Sequence, residues 1–155
     1  VLDIAVHVGT LFAVLIFFRT DIIRMIRGAW QIVINRGKIT TVESRLFVFI
    51  MIASIPVAIA GILLSFYEPA FMRSLNLMAG CLIVFGILMW YADRKGTSDK
   101  TVETMTPRDM ILVGLMQTLS LIPGVSRSGI TMTAARFCGV GRVEAARFSL
   151  LLATV

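Results

Sequence analysis

The sequence predicts an all-α polytopic membrane protein, built from spanning helices plus a re-entrant helical hairpin in an inverted-repeat architecture. Three observations predict it. The 155 residues are 57% hydrophobic and only 15% charged, with a mean hydropathy of +0.89, values outside the range of soluble domains. Two apolar runs, Leu46–Phe66 and Leu75–Ala92, are long enough to cross a bilayer. Two shorter apolar segments, Met110–Ile122 and Ile130–Val140, flank a Pro-Gly turn, and neither reaches the roughly 20 residues a spanning helix needs.

In chain order, Leu2–Phe18 reads as part of a spanning helix, with Gly9 and Ala13 forming a small-residue face for close helix contact. His7, the single histidine, is expected to pack or hydrogen-bond at a helix end, with a catalytic role as the alternative. Arg19–Arg45 is the most basic stretch. Asp21, Arg24, Arg27, Gln31 and Asn35 recur there at helical spacing, with apolar residues between them. Either an interfacial helix or a continuation of the first helix into solvent fits this pattern. Asn35-Arg36-Gly37-Lys38 is a turn, and Thr40 with Glu43 resembles a capping box. Pro56 is expected to kink the Leu46–Phe66 helix, with Ser54 helping to satisfy the freed backbone. The next span closes on Trp90-Tyr91, as in an aromatic belt. Asp93–Arg108 reads as a mobile polar loop. Thr106-Pro107-Arg108-Asp109 reads as a helix start.

Charge placement sets the orientation. Arg19–Arg45 and Asp93–Arg108 hold ten Lys and Arg, whereas Tyr67–Ser74 holds only Arg73. Positive charge marks the cytoplasmic side, so both basic loops are expected there and the hairpin is expected to enter from that face. The net charge of +6 belongs to these loops. No basic patch interleaved with aromatics is present, so nucleic acid is not an expected partner. Cys81 and Cys138 sit in separate apolar segments and read as small core residues rather than a disulfide or metal pair. His7–Ala13 aligns loosely with Arg147–Ala153, a faint inverted repeat.

The chemistry concentrates in Pro123-Gly124-Val125-Ser126-Arg127-Ser128-Gly129-Ile130-Thr131. An arginine at membrane depth costs at least about 2.5–3.5 kcal/mol, which makes Arg127 a functional candidate. Hydroxyls, a guanidinium, glycines and a helix N-terminus together suit an anion. The plain alternative is a polar turn between two cytosolic helices.

This nine-residue run resembles the second signature of the undecaprenyl-diphosphate phosphatase family, the bacitracin-resistance membrane phosphatases. The similarity extends through Gln117, Gly139–Arg142, Phe148–Ala153, the opening Asp3–Leu11 and Phe18-Arg19. Family members carry a paired-glutamate motif and a Ser-Ser-Thr-Gly-His loop ahead of the segment that opens this sequence; neither is present here. The chain begins without Met and stops within an apolar run. It is therefore expected to be a single membrane domain, 1–155, from a longer protein, lacking an N-terminal re-entrant hairpin and C-terminal helices.

The resemblance implies hydrolysis of undecaprenyl diphosphate to undecaprenyl phosphate and inorganic phosphate, recycling the lipid carrier for cell-wall synthesis and conferring bacitracin resistance. It implies a multi-pass protein of the bacterial inner membrane, with a homodimer as a further expectation. Arg127 would clamp the diphosphate bidentately, and Ser126 would donate a hydrogen bond or act as nucleophile. Ser128, Gly129, Thr131 and Gly124 would complete the phosphate cradle. Acid–base groups or the ligands of a divalent cation, Mg or Ca, are expected upstream, and no metal ligand within this chain. Arg136, Arg142 and Arg147 are expected to be headgroup or helix-partner contacts, so Arg136→Lys is expected to lower turnover only slightly. A transporter or flippase that binds a polyprenyl phosphate without hydrolysis is the alternative.

Overall fold

A computed structural model describes residues 6, 8–9, 12–13, 16–35, 38–39, 41–66 and 74–153. Two compact units emerge, Val1–Phe47 and Val48–Val155.

In the first unit the described residues before Phe18 are helical, and α1 spans Arg19–Ile34. Gly9 and Ala13 are exposed, and a Cβ on Gly9 would meet nothing within 4 Å. The expected small-residue contact is therefore not made among the described residues. His7 lies outside them. The stripe that α1 buries is Asp21 and Gly28, while Ile26, Trp30 and Val33 face outward beside the exposed Arg24 and Arg27. A helix that turns its apolar residues outward suits an apolar or interfacial surrounding. Gly28 lies so close to the Glu43 backbone that any Cβ would collide with it.

The second helix, α2, spans Val42–Phe66. Its cap lies one residue later than expected. Thr41 Oγ1 accepts from the Ser44 amide (3.2 Å), and Ser44 Oγ accepts from the Thr41 amide (3.1 Å), a reciprocal capping pair. The Thr41 hydroxyl also donates to the Gln31 side-chain oxygen, tying α1 to the start of α2. Thr40 lies outside the described residues.

In the second unit, α2 continues through Pro56 as one helix. Ser54 does not relieve the proline, because its hydroxyl donates to the Ile50 carbonyl (2.9 Å). The carbonyl that Pro56 deprives of a donor is four residues back, at Ile52. The third helix, α3, spans Leu75–Lys95, past the expected end at Ala92. Arg94 lies 5.0 Å from the Trp90 ring, a cation–π contact that extends the last turn. Helices α2 and α3 are both long and apolar enough to cross a membrane, and only 17% and 6% of their apolar windows are buried. In water such surfaces would be an aggregation hazard; in lipid they need no cover.

A 3₁₀ turn at Val102–Thr104 leads to α4, Pro107–Thr118, which tightens into a second 3₁₀ turn at Leu119–Leu121. The predicted start is observed: Thr106 Oγ1 accepts from the Asp109 amide and Asp109 Oδ2 from the Thr106 amide (2.8 Å). Helices α5, Arg127–Phe137, and α6, Arg142–Ala153, follow. Helix α5 is central, packing on α3, α4 and α6. It buries Ile130, Thr131, Thr133, Ala134, Ala135 and Arg136. Small residues let three helices approach it closely. Gly114 of α4 serves the same purpose: a Cβ there would lie 2.8 Å from the Ala53 carbonyl oxygen.

The Asp93–Arg108 segment is not the loose loop expected. Lys100 pairs with Val140 as an isolated parallel bridge, its amide donating to the Gly139 carbonyl (3.0 Å) and its carbonyl accepting from the Gly141 amide (3.1 Å). Val102 and Met105 are buried beneath it. Arg136, also buried, fastens it further. Its Nη1 donates to the carbonyls of Thr97 (2.9 Å) and Val140 (2.6 Å), and its Nη2 to those of Gly96 (2.8 Å) and Asp93 (3.2 Å). Carbonyls at the end of α3 lack helical donors, and a cation there complements the helix dipole. Arg136 is thus a structural clamp, a helix-partner contact, which is one of the two roles expected for it.

The candidate anion site at the hairpin turn

The turn between α4 and α5 is closed by the Val125 amide donating to the Ile122 carbonyl (3.1 Å). Gly124 within it has φ +92°, and a Cβ would fall 2.7 Å from Met78 Cα. Only glycine fits, and it seats the turn directly on the backbone of α3.

Ser126 caps α5, its Oγ accepting from the Gly129 amide (3.2 Å) and lying 3.2 Å from Ser128 Oγ. The Gly129 amide is therefore occupied. The Arg127 and Ser128 amides, which lie in the first turn and lack helical acceptors, are the ones left to face an anion. Gly124, Ser126, Ser128 and Gly129 line one cavity of about 220 Å³, walled by Leu82 and Phe85 of α3.

Thr131 is placed elsewhere. The residue is 1% exposed, and its hydroxyl lies 2.9 Å from the Arg127 carbonyl and pairs with Ser149 Oγ at 2.6 Å. Ser149 in turn donates to the Ser128 carbonyl (3.0 Å). Thr131 therefore locks α5 to α6 and does not line the cavity.

Arg127 does not line it either. Nη2 donates to the Leu152 carbonyl (3.0 Å), near the end of α6. With the amide of Gln117 oriented to satisfy both groups, its oxygen accepts from Arg127 Nη2 (3.0 Å) and Nε (3.1 Å). Gln117 is completely buried. Among the described residues no carboxylate comes within ion-pair distance of Arg127, and Nη1 makes no hydrogen bond. A half-buried cation held by neutral acceptors keeps its full charge for a ligand. Sequence reasoning had Gln117 only as part of the flanking similarity. The missed signal was a polar amide inside an apolar helix, where it must find a partner.

The other arginines are accounted for by neighbours. Arg142 makes a two-pronged bond to Asp93 (2.6 and 2.8 Å), and Arg147 lies 3.7 Å from Glu144. The perturbed groups lie at the opposite end of the hairpin. Burial, with the nearby Asp109 charge, pushes the Cys138 thiol up to about 11. Burial also pushes the Asp109 carboxyl up, but the Thr106 amide and Lys100 (2.9 Å) outweigh it and hold the group below the usual carboxylate range. Among the described residues no three His, Cys, Asp or Glu side chains converge. Hydroxyls and a guanidinium do not make a divalent-cation site, so no step is routed through one.

Relatives share this stretch from end to end. The undecaprenyl-diphosphatase of Saccharophagus degradans is 44% identical over 153 residues, covering 97% of this chain and 56% of its own length. That of Hahella chejuensis is 46% identical over 151 residues, with 97% and 55% covered. That of Dinoroseobacter shibae is 40% identical over 154 residues, with 98% and 57% covered. The chain thus spans a little over half the length of these relatives. The family described as bacitracin resistance protein BacA matches residues 1–155 without a gap at either end. The chain belongs to the bacitracin resistance protein BacA family.

Proposed function

We propose that the protein carrying this chain hydrolyses undecaprenyl diphosphate to undecaprenyl phosphate and inorganic phosphate in the bacterial inner membrane. The observation that carries the reading is Arg127: a half-buried positive charge with no carboxylate within ion-pair distance among the described residues, in the first turn of α5 between the hydroxyl-bearing Ser126 and Ser128 in sequence. Phosphoryl transfer asks chiefly for positioning and for neutralising charge on the equatorial oxygens. Arg127 Nη1 and the amides of Arg127 and Ser128 would hold the terminal phosphate. The Ser126 hydroxyl would donate to it or attack it. The relatives' names favour hydrolysis over transport. In this reading the helix pair α4–α5 is a re-entrant hairpin, the basic segments Arg19–Arg45 and Asp93–Arg108 are cytoplasmic, and an upstream repeat of inverted topology supplies acid–base groups or a metal site.

The test is phosphate release from undecaprenyl diphosphate by the full-length native protein and its Arg127→Lys variant. Lysine keeps the charge but loses the planar fork that bonds Gln117, Leu152 and a phosphate together. We expect kcat/KM to fall by about a hundredfold or more, in line with roughly 2.7–4 kcal/mol for a lost transition-state donor. Near-native turnover by this variant removes Arg127 from the site.

A further inference from the structure

We propose that Gln117 is the positioning residue for Arg127, an uncharged acceptor that fixes the guanidinium while leaving its charge for a phosphate. The proposal rests on the phosphate-binding reading of Arg127. Gln117 lies in the last turn of α4 and is completely buried. Its oxygen takes both Nε and Nη2 of Arg127 at 3.1 and 3.0 Å, and the Leu152 carbonyl takes Nη2 as well. Three of the five guanidinium N–H groups are thereby spent, and the two on Nη1 project without a partner among the described residues.

The chemistry of the acceptor is the argument. A glutamate in this place would make the same two hydrogen bonds more strongly and cancel the charge. An apolar residue would leave the guanidinium free to rotate about its long stem, at the entropic cost that long side chains carry. An amide alone does both tasks: it orients and it does not neutralise. Arg136, the structural clamp, has the Asp93 carboxylate within 3.4 Å of its Nε, whereas Arg127 has no carboxylate within ion-pair distance among the described residues. Arg142, outside this site, does use one, at Asp93.

The test compares Gln117→Glu and Gln117→Met with the wild type in the full-length native protein, by melting temperature in detergent and by KM and kcat for undecaprenyl diphosphate. Gln117→Glu should melt at or above the wild-type temperature, because the hydrogen bonds persist. Its KM should rise by about tenfold or more, because the phosphate meets a neutralised arginine. Gln117→Met keeps the volume and should also raise KM, with Arg127 untethered. A native KM in Gln117→Glu at undiminished stability overturns the proposal. So does a lowered KM in Gln117→Met, which would make Gln117 a latch that holds Arg127 away from substrate. Where Gln117→Glu does not insert into the membrane, Gln117→Met alone decides by the direction of its KM. The Arg127→Lys variant keeps the two readings apart: if it is native while the Gln117 variants are impaired, the phosphate-binding reading fails; if it is inactive while they are native, only the positioning role fails.

Discussion

Replacing Arg136 by lysine isolates what a buried guanidinium does for this fold. Its two terminal nitrogens serve different places: Nη2 bonds the Asp93 and Gly96 carbonyls at the end of α3, while Nη1 bonds Thr97 and Val140. A lysine ammonium is one point and can sit at only one of these places. At least two charge-assisted hydrogen bonds are then lost, at roughly 1.5–3 kcal/mol each, and of the carbonyls left behind that of Val140 belongs to a buried residue. The expected cost is about 3–5 kcal/mol, the range seen when a buried ionic contact is broken. That is a large share of a typical folding free energy of about 5–15 kcal/mol. Thermal unfolding of the purified protein in detergent should show a melting temperature lower by roughly 6–20 °C. Arg142→Ala, run alongside, should shift it little, because the Arg142–Asp93 pair stands in solvent. A lysine variant melting within about 2 °C of wild type would mean that the Asp93–Arg108 segment is held by something other than this clamp.

Two further outcomes follow from single positions. Gly124→Ala imposes a Cβ at φ +92° against the Met78 backbone, so it should cost at least about 1–3 kcal/mol and reduce turnover by shifting the turn. Gly80→Ala, where a Cβ meets nothing within 4 Å, should leave both melting and turnover native. Burial and the Asp109 charge push the Cys138 thiol up to about 11 from an ordinary value near 9, so it is expected to stay protonated well into alkaline solution. Iodoacetamide labelling of the Cys138 peptide, followed by mass spectrometry, should be slow at pH 8 and rise only as pH approaches 11. The sign for stability follows: folding favours the bound proton, so this contribution is whole below about pH 9 and fades between 9 and 11. Cys138→Ala should flatten that fall.

Local signals were legible in the sequence, and long-range ones were not. Thr106-Pro107-Arg108-Asp109 carries its own cap, so α4 began where expected. Likewise Pro123-Gly124 announced a turn, because its closing hydrogen bond lies within three residues. The partners of Arg136 and the placement of Thr131 were not legible, for the opposite reason. The carbonyls that hold Arg136 come from Asp93, Gly96 and Thr97, and the hydroxyl facing Thr131 comes from Ser149. Nothing in a linear pattern pairs residues some 18 to 43 positions apart. The polar stretch Asp93–Arg108 looked loose for the same reason, since its anchor is an arginine on a later helix. Gly28 and Gly114 were passed over in favour of Gly9, because spacing alone does not say which glycine meets a neighbouring backbone.

The seating of Gly124 on Met78 and of Arg136 on Asp93 and Gly96 gives α3 a role that its apolar sequence does not advertise. Fifteen residues separate Met78 from Asp93 on one helix, about 22 Å of rise. Both ends of α5 are measured off against that single rod. The helix therefore acts as a gauge: its length in residues sets how far the turn stands from the basic connector, and its winding sets which side each seat faces. One residue inserted between the two seats would advance the far one by about 1.5 Å and rotate it by about 100°. Gly124 and Arg136 could not then both dock, and either the turn or the connector would have to let go.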